Sequence, residues 1–127
     1  MKTFKIKLPL LFVVLALSLA VSASQLTDKL SAIWNVARIS VMPDSAGFAE
    51  KYEIFYTHPL DYKNPKAGQF DERIILCHVG FDRPTIVVTE GYWATYAENI
   101  KYREELSKLL NANVIVCEYR YFGKSIP

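Results

Sequence analysis

Two short apolar runs, Thr85-Ile86-Val87-Val88-Thr89 and Asn113-Val114-Ile115-Val116-Cys117-Glu118-Tyr119, decide the fold. Each is a continuous β-branched run of strand length, the pattern of a strand buried on both faces. Between them, the spacing predicts a helix from about Tyr96 to Leu110. Tyr102, Leu106, Leu109 and Leu110 fall on one face; Lys101, Glu104, Glu105 and Lys108 cover the other, with Glu104 and Lys108 at i,i+4. Asn111 to Asn113 end that helix. Strand, helix, strand over Thr85–Tyr119 is a βαβ unit, hence a parallel pair with a right-handed crossover.

Upstream the pattern changes. Lys51–Thr57 (KYEIFYT) and Phe70–Val79 are aromatic and β-branched strand segments. The loop between them, His58 to Gly68, carries Pro59, Pro65 and Gly68 and is too proline-rich for a sheet interior. The connection predicts an antiparallel hairpin. Gly80 to Pro84 is a turn and Met42 to Gly47 a loop. Leu26, Leu30, Ile33, Trp34 and Ala37 fall at helical spacing and predict a short amphipathic helix. An antiparallel hairpin followed by a parallel βαβ unit is an α/β arrangement. It is how an α/β-hydrolase sheet begins, and other mixed sheets begin alike.

The first residues read as targeting rather than fold. Lys2, Lys5 and Lys7 precede the apolar run Leu8 to Ala20, and Val21-Ser22-Ala23 offers small residues for cleavage after Ala23. The apolar run is short of the ~20 residues of a comfortable membrane span. We therefore expect a signal peptide at 1–23, export to the periplasm or beyond, no stable membrane anchor, and one domain over 24–127. The whole sequence has 15 Lys+Arg against 13 Asp+Glu, a net charge of +2. Removing three lysines and no acid leaves 12 against 13, or −1. No basic stripe remains, which argues against nucleic-acid binding.

Several motifs fail on inspection. Gly123-Lys124-Ser125 resembles the end of a phosphate-binding loop, but Glu118 stands where that loop needs its first glycine. Ser125 lacks the second glycine of a G-x-S-x-G elbow, because Pro127 occupies it. It reads as a loop hydroxyl. His58 and His78 have no nucleophile or carboxylate at motif spacing and read as structural. Cys77 and Cys117 lie in apolar strands, where a thiol is a small hydrophobe; they have no zinc-site spacing. Tyr92, Trp93, Tyr96 and Tyr102 form an aromatic stretch that fits either packing or a binding cleft. Thr89-Glu90-Gly91-Tyr92 is the best functional candidate, since ligands in open α/β sheets bind beyond the carboxyl ends of strands. Gly91 permits close backbone approach or merely the turn. Glu90 suits a positively charged substrate group or a helix cap.

The run His58-Pro59-Leu60-Asp61-Tyr62-Lys63-Asn64-Pro65, with Gly68, Phe70 and Arg73, then Phe81-Asp82-Arg83-Pro84, Thr89-Glu90-Gly91-Tyr92 and Glu118-Tyr119-Arg120-Tyr121-Phe122-Gly123-Lys124-Ser125-Ile126-Pro127, resembles the N-terminal part of the secreted tripeptidyl aminopeptidase family of serine peptidases. The resemblance runs from about Ile33 to Pro127. Tyr62 departs from it, since histidine is expected after Pro-Leu-Asp. The resemblance implies an exported α/β-hydrolase that releases short peptides from free N-termini, with peptide as its partner and no metal or organic cofactor. It implies oxyanion-hole donors at Gly91 and Tyr92, and a Ser, Asp and His triad beyond Pro127, so that no catalytic side chain is expected within this stretch and it is inactive alone. The loop Glu118–Pro127 is then mainly a support. Two alternatives stand beside it: a prolyl carboxypeptidase or dipeptidyl peptidase-like hydrolase, and an exported peptide-binding remnant without activity.

Overall fold

The computed structural model describes residues 24–89 and 92–127. The segment read as a signal peptide, and Glu90 and Gly91, lie outside the described residues. Among the described residues, the fold is carried by α1 (Gln25–Ser31), β1 (Val36–Val41), β2 (Glu50–Pro59), β3 (Gln69–His78), β4 (Thr85–Val88), α2 (Glu105–Leu110) and β5 (Asn113–Cys117). The strands form a single mixed sheet in the order β1-β2-β3-β5-β4. β1, β2, β3 and β5 pair antiparallel in turn, and β4 lies parallel to β5. The expected hairpin and the parallel pair are both present.

Strand alternation sorts the core onto two faces. Ile75, Cys77, Val114 and Val116 point to one face, where Phe48, Ala94 and Ala97 cover them. Tyr52, Ile54 and Leu76 point to the other, beneath Leu26 and Leu30 of α1. Ser24 caps α1 by accepting the Thr27 N–H at 3.1 Å.

Five expectations need correction. The helix predicted to reach Ala37 stops at Ser31, and Asn35 then takes a φ of 69°, reversing the chain into β1. Leu26 and Leu30 are buried while Ile33 and Trp34 are exposed, so the helical spacing ran past the residues the sheet covers.

The helix predicted over 96–110 is split. Ala94–Glu98 is a 3-10 turn, and α2 begins only after its N-cap Glu104. Asn99 breaks the run, with its side chain accepting the Lys101 N–H at 2.8 Å. The expected apolar face is also reversed: Leu106, Leu109 and Leu110 are exposed and Ser107 is buried. The Ser107 hydroxyl donates to the Ala112 carbonyl at 2.8 Å, closing the turn between α2 and β5. Asn111, left-handed at φ 47°, closes the helix.

β4 is not buried on both faces. It stands at the end of the strand order, and Val87 is 56% exposed. Finally, Thr89, Glu118 and Tyr119 fall outside the strands, so the loops at their ends begin earlier than predicted.

Candidate functional site

Because β4 and β5 run parallel and end side by side at Val88 and Val116, the loops that follow them leave the sheet at the same edge. β3 is antiparallel to β5, so its first half reaches this edge too: the Glu118 N–H donates to the Arg73 carbonyl at 3.1 Å. Three chain segments distant in sequence therefore meet where an open α/β sheet places its ligands.

Glu118 organises the meeting. It is fully buried, and so is Arg73. Arg73 donates to both carboxylate oxygens of Glu118, from Nη2 to Oε1 and from Nε to Oε2, the second at 3.1 Å. Oε1 also accepts the Ala94 N–H at 3.0 Å, from the segment after β4. Oε2 accepts the Lys124 N–H at 2.8 Å and the Ser125 hydroxyl at 3.2 Å, both from the loop after β5. Burial by itself would raise the Glu118 carboxyl; the hydrogen bonds from Arg73, Ala94 and Lys124 override it and hold the group below the ordinary carboxylate range.

A second layer surrounds this pair. Arg73 Nη1 bonds Glu98, and Glu53 lies 3.5 Å away. Lys124 Nζ sits 2.7 Å from Glu53 and 3.4 Å from Glu98. Gly123 completes the fit. Its φ is +52°, and a Cβ there would lie 2.1 Å from Glu118 Oε1. The loop after β5 thus folds over the carboxylate with no room for a side chain. Arg120 pins the other side of that loop, donating to the Leu60 and Pro59 carbonyls at 2.8 Å each and lying 4.4 Å over the Phe70 ring.

Of the sequence candidates, Tyr92 is described and Glu90 and Gly91 are not. Tyr92 is 68% exposed, with its ring 4.7 Å from that of Phe122 and 6.3 Å from that of Tyr119. Tyr92, Trp93 and Phe122 line an open apolar hollow of about 350 Å³. The aromatic stretch is thereby divided. Tyr92 and Trp93 face outward at the edge, while Tyr96 and Tyr102 meet edge to face, their ring centroids 5.4 Å apart, against the core.

The histidines lie elsewhere. His78 is buried beside Phe81. His58 bonds the Tyr62 hydroxyl through Nδ1 and Glu72 through Nε2, both at 2.6 Å. Tyr62, the departure from the family pattern, thus orients a histidine at the end of β2, which runs on to Pro59 rather than giving way to the loop at His58 as expected. Ser125 is fully buried, accepting the Arg73 N–H at 2.9 Å and bonding Glu118, which leaves it no nucleophilic role.

Sequence reasoning met Arg73 and Glu118 only as parts of the family resemblance, Glu118 at the start of a supporting loop, and gave no role to Glu98. One signal for the pair was available: Arg73 directly precedes the apolar run Ile74–Cys77 and Glu118 directly follows the apolar run Val114–Cys117. Opposite charges at the ends of buried runs need each other where the fold covers them. The cysteines are both free thiols. Cys117 lies opposite Ile74 while Cys77 lies opposite Val114. Three strand positions separate them, about 10 Å, beyond disulfide reach.

Among the described residues, no cluster of three or more His, Cys, Asp or Glu side chains is placed to hold a metal ion, and no helix is long and apolar enough to cross a membrane. Part of the chain is similar to a prolyl tri/tetrapeptidyl aminopeptidase of Streptomyces mobaraensis, 36% identical over 72 residues, or 57% of this chain. The chain spans 14% of the length of that relative. The family model of the PS-10 peptidase S37 group matches residues 20–127, the β-sheet and both loops of its carboxyl edge included. With that match across most of its length, the chain belongs to the PS-10 peptidase S37 family.

Proposed function

We propose that these residues form the N-terminal part of an exported serine aminopeptidase of the α/β-hydrolase fold, which releases tri- or tetrapeptides, prolyl peptides among them, from free N-termini. The carrying observation is the joining of the loops after β4 and β5 by one buried carboxylate at the carboxyl edge of a parallel pair. In an α/β-hydrolase, part of the oxyanion hole comes from the backbone of the loop that β4 leads into here. Membership of the peptidase family and the similarity to an aminopeptidase support the same reading.

In this reading the backbone N–H groups of Gly91 and Tyr92 donate to the oxyanion that develops on the scissile carbonyl. Such donors act through their fixed position, since the peptide dipoles need no reorganisation as charge builds. The nucleophilic serine, activated by histidine, comes from outside residues 24–127. The apolar hollow of Tyr92, Trp93 and Phe122 faces the same edge and suits an apolar substrate side chain. Glu90 meets a positively charged substrate group. The leading segment at 1–23 directs export.

The test uses the whole polypeptide that the gene encodes. Peptides with free and with acetylated N-termini are incubated with it and the products read by mass spectrometry. Release of N-terminal tri- or tetrapeptides from the free form alone is the expected result. Cleavage from the C-terminus would favour the carboxypeptidase alternative, and no cleavage at all would leave the binding remnant.

A further inference from the structure

We infer that Glu118 is a positioning residue for peptide cleavage: its carboxylate sets the segment carrying Tyr92 against the loop carrying Phe122. This rests on the peptidase reading above. The inference comes from how the donors divide between the two oxygens. Oε1 receives Arg73 Nη2 and the Ala94 N–H; Oε2 receives Arg73 Nε, the Lys124 N–H and the Ser125 hydroxyl. Every one of these partners presents a proton to the carboxylate, and the donors Ala94 and Lys124 are backbone groups that cannot turn away. Ala94 lies two positions after Tyr92, so the N–H that Oε1 holds fixes the exit of the candidate oxyanion loop. Lys124 lies two positions after Phe122, whose ring contacts Tyr92 at 4.7 Å. Both walls of the hollow are therefore referenced to one carboxylate.

An amide cannot replace it. Whichever way a glutamine at 118 is turned, its NH2 faces at least one backbone donor, Ala94 on one side or Lys124 on the other. One loop is released while the volume of the side chain is kept. Aspartate keeps the charge but draws it back by one methylene, out of reach of one loop.

The experiment compares wild type, Glu118→Gln and Glu118→Asp in the whole polypeptide, reading kcat and KM on a chromogenic prolyl tripeptide and amide hydrogen exchange at Ala94 and Lys124. In Glu118→Gln, kcat is expected to fall about 10- to 100-fold with KM changed less than about twofold, the size of a displaced reacting geometry. Exchange at Ala94 or Lys124 should accelerate at least about tenfold, the signature of local opening. Should Glu118→Gln fail to fold, Ser125→Ala removes one donor and keeps the carboxylate; a kcat loss of about threefold at constant KM is then expected. A folded Glu118→Gln or Ser125→Ala variant with the wild-type kcat overturns the inference while leaving the peptidase reading intact. A wild-type protein that cleaves no peptide overturns both.

Discussion

Replacing Gly123 with alanine is the sharpest perturbation of the buried network. The left-handed backbone at φ +52° by itself disfavours alanine by about 1–2 kcal/mol. The larger effect is steric. The new Cβ would lie 2.1 Å from Glu118 Oε1, 2.5 Å from its Cδ and 2.8 Å from Oε2, so the whole carboxylate must move. Moving it releases the Ala94 and Lys124 N–H groups and the Ser125 hydroxyl. Charge-assisted bonds contribute about 1.5–3 kcal/mol each, and disrupting a buried ion pair costs about 3–5 kcal/mol. These overlap, and Arg73 keeps Glu98 and Glu53 as neighbours. The expected loss is about 4 kcal/mol, a large share of the roughly 5–15 kcal/mol that stabilises a domain.

The assay is urea unfolding, with the midpoint shift read at constant slope. The control is the same substitution in a Glu118→Ala background. There the clash is gone, and Gly123→Ala should cost only the backbone term of about 1–2 kcal/mol. A coupling of about 2–3 kcal/mol between the two sites follows. Equal costs in both backgrounds, or a wild-type cost below about 1 kcal/mol, would refute the packing argument.

Three further outcomes are expected. The folded carboxyl of Glu118 lies below its unfolded counterpart, so the unfolded state binds more protons; the contribution is full above the ordinary carboxylate range and is lost as pH falls through the folded value. Urea midpoints should therefore drop as pH falls below the ordinary carboxylate range, and drop less in Glu118→Gln. Burial pushes the Cys77 thiol up to about 11, and burial followed by the nearby Glu72 raises Cys117. Iodoacetamide near neutral pH should label both only after unfolding, and rapid native labelling or a spontaneous disulfide would contradict this. Arg120→Ala should cost about 2 kcal/mol and expose the Leu60–Gly68 loop to limited proteolysis. Lysine should not rescue it, because one ammonium cannot reproduce a fork that spans two carbonyls and a ring.

Much of the sheet was legible because β2 to β5 are written in β-branched and aromatic residues whose alternation matches the two core faces. β1 was hidden because Ala37 prolongs a helical spacing whose last contacts, Ile33 and Trp34, are solvent-exposed. Only tertiary cover distinguishes those two from Leu26 and Leu30. Similarly, the leucines of α2 share a face, but that face is exposed; Ser107 is the buried residue, its hydroxyl bonded to the Ala112 carbonyl ahead of β5, a contact that periodicity does not encode.

The candidate site divides the same way. The loop after β4 was legible from its place at a strand end and from Gly91. The carboxylate that ties it to the next loop was not, because Arg73 and Glu118 are 45 positions apart and meet only through the β3–β5 register. The glycine was visible at 123, but its reason, a carboxylate beneath it, was not.

The most direct measurement of the central claim is a crystal structure of the whole polypeptide with a peptide boronate bound as a transition-state mimic. The account predicts a boronate oxygen about 2.7–3.1 Å from the backbone nitrogen of Tyr92, with Glu118 still bonded to the Ala94 and Lys124 N–H groups. A boronate seated away from the carboxyl edge of β4 and β5, or an oxygen held entirely by other donors, would contradict it.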